Sequence, residues 1–389
     1  MTHTSPPRNP IRANAVIARG GINGRGSRGN LVRIDSGETP CRYSGWVFRK
    51  GNTLMRKDIE FKTEDGVTLR GWHYVPDGRQ GRVPTVVMAH GFSAVKEMYL
   101  DQFAEAFAAA GLASVVFDNR NFGASDGEPR QEIDPWQQVR DYRDAITYAE
   151  TLEETDPERI GIWGSSYSGG HVLVVGAIDR RVKCVVSQVP LASGHANARR
   201  LIRSDHLAGV QGMFAEDRRA RMAGKSPAMM PVVAKDPTSP SALPTPDSWA
   251  WFTETARTRA PSWKNEVTLR SVEMFTEYEP GSYVSFISPT PLLMVVALGD
   301  VLAIADLALA AYERALAPKQ LVTLAGATLT HTSMTSTLPR SRQWRGSPSI
   351  WCRSSCAALA GRHPQRHQSV QLGLGILAIT SRWQRRGDA

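Results

Sequence analysis

Between Met55 and Gly326, short runs of β-type residues alternate with longer stretches of helical spacing. Ile59–Thr63 and Val67–Val75 alternate apolar and polar positions around Asp65-Gly66, which predicts a hairpin. Val83–Ala89 is a continuous apolar run, and Tyr99–Ala110 follows with a helical period that stops at Gly111. Leu112–Phe117 predicts a buried strand, Pro135–Leu152 a long amphipathic helix, Arg159–Trp163 a strand, Ser168–Ile178 a helix and Val182–Val189 a strand. The order closes with a strand at Pro291–Ala297, a helix at Ala303–Leu316 and a strand at Gln320–Leu324.

Strands that read as unbroken apolar runs are buried on both faces, and the helices between them supply the covering layers. The pattern therefore predicts an α/β fold with a doubly wound, mostly parallel sheet led by an antiparallel hairpin. The stretch between Val189 and Pro291 is far too long for an ordinary connection. Its Pro-rich joints (Pro237, Pro240, Pro244, Pro246) and its aromatic residues Trp249, Trp251, Phe252 and Trp263 predict an inserted, largely helical cap at about 190–290. Those aromatics are candidates to line an apolar pocket or to form the cap's own core.

Composition sharpens this picture at the two ends. The 389 residues are 41% hydrophobic and 22% charged, enough to bury a full core, and exclude collagen-like, low-complexity and disulfide-scaffold classes. A net charge of +10 invites a nucleic-acid or membrane-surface reading, but the charge is unevenly placed. Residues 1–54 carry 9 Lys and Arg against 2 Asp and Glu, residues 327–389 carry 9 against 1, and residues 55–326 carry 29 against 34, a net of −5. Both ends are expected to be disordered basic extensions, so no nucleic-acid partner is assigned. The N-terminus lacks the apolar segment of a secretory signal, and patterning begins so abruptly at Met55 that this methionine is a candidate true start.

The four cysteines, Cys41, Cys184, Cys352 and Cys356, are too scattered for a disulfide framework and point to a reducing, cytoplasmic setting. Cys352 and Cys356, with His363 and His367 downstream, lack convincing zinc spacing, and no metal is expected. Leu372–Ile379 is far shorter than the roughly 20 residues a membrane span requires.

The strongest chemical signal is Gly164-Ser165-Ser166-Tyr167-Ser168-Gly169-Gly170, set between a predicted strand and a predicted helix. A sharp strand-to-helix turn needs small residues two before and two after its apex, and Gly164 and Ser168 meet that need around Ser166. Ser166 is thus the candidate nucleophile, although Ser168 replaces the last glycine of the G-x-S-x-G pattern. His90-Gly91-Phe92-Ser93 follows the strand Val83–Ala89. With Ser166 as nucleophile, the backbone N–H groups of Tyr167 and Phe92 are the candidate oxyanion donors. Asp118–Gly127, after the strand Leu112–Phe117, reads as an internal Asp/Arg-stabilised turn.

These residues, with Asp118-x-Arg120-x-x-Gly123-x-Ser125-x-Gly127 and Met294–Asp300 followed by Ala305–Arg314, give the chain its resemblance to the α/β-hydrolase superfamily. Residues 55–326 are most similar to the branch of dienelactone-hydrolase-like, Xaa-Pro-peptidase-like and polyketide-transferase-like proteins. The resemblance implies a triad of Ser166, an acid after a late strand and a His after the last strand. Asp300 matches the acid, with Asp306 as runner-up. The implied function is a serine hydrolase acting on an ester, thioester or small amide through an acyl-enzyme, without a cofactor and on a small-molecule acyl substrate. An acyltransferase or an inactive relative is the alternative.

The resemblance calls for a Gly-His-Phe-like segment and an amphipathic helix after Gln320–Leu324. The sequence instead reads Ala325-Gly326-Ala327-Thr328-Leu329-Thr330-His331, and residues 327–389 hold no Lys and no helical period. If the last base of each codon from Ala327 is grouped with the first two of the next, the triplets are compatible with His-Phe-Asp-Ala-Tyr-Val-Asp-Asp-Phe. A frame change near 325–327 is therefore expected to have replaced the catalytic His, with His331 the competing candidate base in the chain as written.

Overall fold

The computed structural model describes residues 55–327 together with Leu329. The hairpin strands β1 (Met55–Lys62) and β2 (Thr68–Val75) pair antiparallel through a turn in which the Gly66 N–H donates to Thr63 O. Six more strands complete the main sheet: β3 (Val83–Ala89), β4 (Ala113–Phe117), β5 (Thr155–Ser165), β6 (Val182–Gln188), β9 (Leu292–Ala297) and β10 (Lys319–Leu324). Their spatial order is β1-β2-β4-β3-β5-β6-β9-β10, and every pair from β4 to β10 is parallel. The doubly wound, mostly parallel α/β sheet expected from the sequence is present.

Side chains that alternate along the strands feed two separate cores. Val87, Ala89, Val115, Phe117 and Ile162 pack on the side of α2 (Pro135–Thr151) and α3 (Tyr167–Ile178). Val86, Met88, Val116 and Trp163 pack on the side of α1 (Leu100–Ala109), with its Phe103 and Phe107. Helix α2 starts where the Asp134 carboxylate accepts from the Trp136 and Gln137 N–H groups and Pro135 presets the first turn.

Between β6 and β9 lie α4 (Gly194–Leu201), α5 (Leu207–Met222), α6 (Pro246–Thr258), α7 (Leu269–Glu277) and a 3₁₀ segment (Pro280–Phe286). A two-stranded ribbon of β7 (Met229–Met230) and β8 (Val267–Thr268) joins them. Helix α8 (Ala305–Arg314) then leads to β10. The parallel strands end level: Ala89 lies beside Gly164, Gly164 beside Ser187, and Ala297 beside Leu324. The loops carrying His90–Ser93, Ser166, Asp300 and Ala325–Ala327 therefore leave the sheet at one edge, where open α/β folds bind ligands.

Candidate active site

Ser166 sits at the apex between β5 and α3 with φ 59° and ψ −117°. That left-handed backbone costs a serine on the order of 1–3 kcal/mol, and the surrounding small residues make it possible. A Cβ at Gly164 would lie 2.2 Å from the Ser168 carbonyl oxygen, so only glycine lets the helix fold back over the strand. Position 168 tolerates serine because its hydroxyl has a use. Ser168 Oγ lies 2.6 Å from the Tyr142 hydroxyl, which also accepts from the Ala89 N–H at 2.9 Å and donates to the Trp163 carbonyl at 3.1 Å. One buried phenol thus ties the ends of β3 and β5 to the first turn of α3.

The loop after β3 crosses the elbow backbone to backbone. A Cβ at Gly91 would come within 2.9 Å of Ser165 O, 3.0 Å of Ser166 Cβ and 3.3 Å of Tyr167 N. This close approach brings the peptide preceding Phe92 next to the start of α3. The Tyr167 N–H is one of the helix's first amides, which have no intrahelical acceptor, and neither it nor the Phe92 N–H finds an acceptor among the described residues. The aromatic side chains of Phe92 and Tyr167 meet edge to face, with centroids 5.5 Å apart.

Ser166 is half-buried beneath a cavity of about 20 Å³ that is lined by His90, Phe92, Trp251, Phe252, Leu302 and Leu329 among others. Over the Ser166 elbow its walls come from five regions: the loop after β3, Leu243 ahead of α6, helix α6, the loop after β9 and the segment after β10. Of the four aromatics singled out in the insertion, Trp251 and Phe252 reach this cavity, whereas Trp249 and Trp263 do not line it.

The Asp300 loop is held from three sides. The buried Asp300 carboxylate accepts through Oδ1 from the Leu302 and Ala303 N–H groups at 2.8 and 2.9 Å. Asn197 of α4 donates to Leu302 O and accepts from the Ile304 N–H. The Gly299 N–H donates to Gly326 O at 2.9 Å, lacing this loop to the segment that follows β10. Asp306 instead lies exposed in the first turn of α8, paired with Arg200 at 2.5 Å.

Sequence alone placed His90 in the loop after the strand Val83–Ala89 but gave it no partners. Its Nδ1 accepts from the Gly91 N–H at 2.8 Å, so Nε2 carries the proton and donates to Met98 O at 2.9 Å. Burial lowers its pKa to about 4, and with both nitrogens engaged it has no site for the Ser166 proton. His171 is also internal, between the Tyr278 hydroxyl and Gln138 Oε1, and burial lowers it to about 3. His73 is buried in β2, while His195 and His206 are exposed and do not line the cavity. His331, the candidate base in the sequence, lies outside the described residues, as do Cys352, Cys356, His363 and His367. Among the described residues no group of three or more His, Cys, Asp or Glu is placed to hold a metal, and no helix is long and apolar enough to cross a membrane.

The Asp118–Gly127 turn is internally bonded. Asp118 is buried and accepts from the Lys96 N–H, the Lys96 ammonium and the Ala124 N–H. Arg120 bridges Asp141 and Asp65. No residue of this turn lines the cavity over Ser166.

The model of the X-Pro dipeptidyl-peptidase (S15) family matches residues 65–327, the span that contains the elbow, the Phe92 loop and Asp300. The chain belongs to this family of α/β hydrolases. The chain is also similar to proteins named as a polyketide transferase and a thiohydrolase. A polyketide transferase of a Penicillium species is 32% identical over 71% of this chain and 90% of its own length. A thiohydrolase of Eupenicillium brefeldianum is 33% identical over 64% and 80%. Among solved structures, an α/β hydrolase from Penicillium superposes with a TM-score of 0.61 at 29% identity, covering 71% of this chain and 92% of that one. These relatives place the protein in a hydrolase and acyltransferase group.

Proposed function

We propose that this protein is a serine hydrolase that cleaves an ester, thioester or small amide through an acyl-enzyme on Ser166. The Ser166 oxygen attacks the carbonyl carbon while a base takes its proton, and the N–H groups of Phe92 and Tyr167 bear the developing oxyanion. Collapse expels the leaving group with that proton, and water then releases the acid. Asp300 orients the imidazole that shuttles the proton. The elbow carries this reading: a half-buried hydroxyl at φ 59° under a cavity, flanked by two amides that find no acceptor among the described residues. Residues 190–290 act as the cap that closes the cavity.

The lining of the cavity supports a neutral acyl substrate. None of the described residues that line it is acidic, and a peptide's charged N-terminus would need such a partner. Relatives named thiohydrolase and polyketide transferase support a thioester or ester in preference to a peptide. The transferase names also favour a second reading, in which an alcohol or thiol rather than water takes the acyl group. Product analysis with a competing nucleophile separates the two.

The base is supplied by the segment after β10. Leu329 lines the cavity over Ser166, so this segment reaches the nucleophile. In the shifted frame the triplet spanning positions 327 and 328 is compatible with His, which would bring an imidazole to the same place. We infer that the chain as written has lost this His to a frame change and is a weakened form of an active enzyme, since removing the triad His costs several orders of magnitude in rate. The competing base is His331. Turnover of p-nitrophenyl esters by the chain as written, its His331→Ala variant and a frame-restored chain decides between them. A large gain on restoration supports the frame reading, and a loss specific to H331A in the written chain overturns it.

A further inference from the structure

We propose that Trp251 sets the length of the acyl group this site accepts, an inference that rests on the cavity over Ser166 being the acyl site. The cavity of about 20 Å³ leaves room for little more than one water. His90 has both nitrogens engaged, and Phe92, Leu302, Trp251 and Phe252 present apolar surface, so an acyl chain is selected there by volume rather than by hydrogen bonding.

The roof does not swing freely. Phe252 is 3% exposed and stacks on Trp263 at 5.1 Å, and the Trp263 Nε1–H donates to Ser93 O at 3.1 Å, next to the Phe92 donor. Arg259, just past α6, donates to Asp101 Oδ2 at 2.5 Å and to Glu97 O at 3.2 Å, and its guanidinium lies 4.6 Å from the Tyr99 ring centroid. Helix α6 is thereby clamped to the loop that follows β3 and to the first turn of α1, and the free space over Ser166 is fixed by side-chain volume.

Trp251 is a wall held by ring contacts and by no side-chain hydrogen bond among the described residues. It is half-buried, its indole touches Phe252, His90 and Tyr99 with centroids 4.8, 6.0 and 6.1 Å away, and its buried Nε1–H finds no acceptor among the described residues. Truncating it to alanine breaks no hydrogen bond. It opens apolar space on the order of 150 Å³, enough for a benzene-sized guest, next to the nucleophile.

The probes are straight-chain methyl ketones of four to ten carbons, which carry the acyl carbonyl without a leaving group, with affinities measured by calorimetry on the full chain. In the wild type, affinity is expected to stop rising at the short end of the series. In Trp251→Ala it should continue to rise about fourfold per added methylene over the next few members. Trp249→Ala, whose side chain does not line the cavity, should keep the wild-type profile. A W251A profile identical to wild type, or an equal shift in W249A, overturns the assignment. If W251A does not melt cooperatively, Trp251→Phe is the substitute, with a smaller shift in the same direction expected and no shift counting against the proposal. Repeating the series on Ser166→Ala separates the two claims. Length selection that persists there while Ser166 is never acylated keeps the pocket and discards the acyl-enzyme, and an acylated Ser166 with an unmoved W251A profile does the reverse.

Discussion

Lowering the pH from 7 to 5 is expected to remove about 5 kcal/mol of folding stability, because three histidines are locked neutral in the interior. His73 and His90 are lowered to about 4 and His171 to about 3, in each case first by burial. Hydrogen-bond geometry fixes the neutral tautomer of two of them. His90 Nδ1 faces the Gly91 N–H, and His171 has Gln138 Oε1 on one nitrogen and the Tyr278 hydroxyl on the other, so the single proton and the single acceptor are both already placed. In the unfolded chain each titrates near 6.5. The unfolded state therefore binds more protons below that pH, and stability falls from about 6.5 down to the folded pKa of each ring. At pH 5 the loss is about 2 kcal/mol per histidine, or about 6 in all. Asp141 works the other way: burial raises it to about 6, so the native state protonates first and regains about 1 kcal/mol, and burial also raises Asp118 and Glu132. The net is a large part of the roughly 5–15 kcal/mol that holds a domain together. Urea midpoints at pH 7, 6 and 5 measure it, with His171→Gln as the internal comparison, because carboxylate contributions cancel in the difference. The variant should lose about 2 kcal/mol less than wild type between pH 7 and 5. Equal losses in the two proteins would refute the assignment of His171 as a buried neutral ring.

Ser166→Gly should raise the unfolding free energy measured in urea by about 1 kcal/mol, since glycine adopts the left-handed elbow without strain, while abolishing labelling of this position by a fluorophosphonate. Tyr142→Phe leaves the Ala89 N–H and the Ser168 hydroxyl without their partner in a dry interior. It should cost about 1–3 kcal/mol by denaturation and slow acylation at unchanged ester KM, and a loss of stability alone would limit Tyr142 to a structural part. Asp300→Asn keeps an oxygen for the Leu302 and Ala303 amides but removes the charge proposed to steady an imidazolium. In a frame-restored chain it should lower kcat by orders of magnitude with little change in melting temperature, and an unchanged kcat would remove Asp300 from the triad.

The parts of the fold that the sequence made legible are those in which one face or both are apolar. Val83–Ala89 reads as a strand with the bounds that β3 has, because its side chains from Thr85 to Ala89 are buried on both faces of the sheet. Strand β5 begins at Thr155, well before the expected Arg159, and its polar start Asp156-Pro157-Glu158 hides the extension. That start lies at a register shift against β3, where pairing rather than side-chain burial defines the strand. Helix α8 begins at Ala305 rather than Ala303, since the Asp300 carboxylate takes the Leu302 and Ala303 amides into a turn of its own. At the site, Ser166 and the Phe92 loop stood out through small residues at fixed offsets. Tyr142 and Asn197 did not, because their parts depend on contacts with residues far off in sequence. A tyrosine on the predicted inner face of Pro135–Leu152 was the only available hint of the first, and nothing in the local sequence signals the second.

The central claim, that Ser166 is a nucleophile, is tested most directly by mass spectrometry of tryptic peptides after treatment with a fluorophosphonate, using the frame-restored chain beside the chain as written. The account requires one phosphonyl adduct on the peptide holding Ser166, formed far faster in the restored chain and absent from Ser166→Ala. A restored chain that folds yet leaves that peptide unmodified, or carries the adduct on another serine, would contradict it.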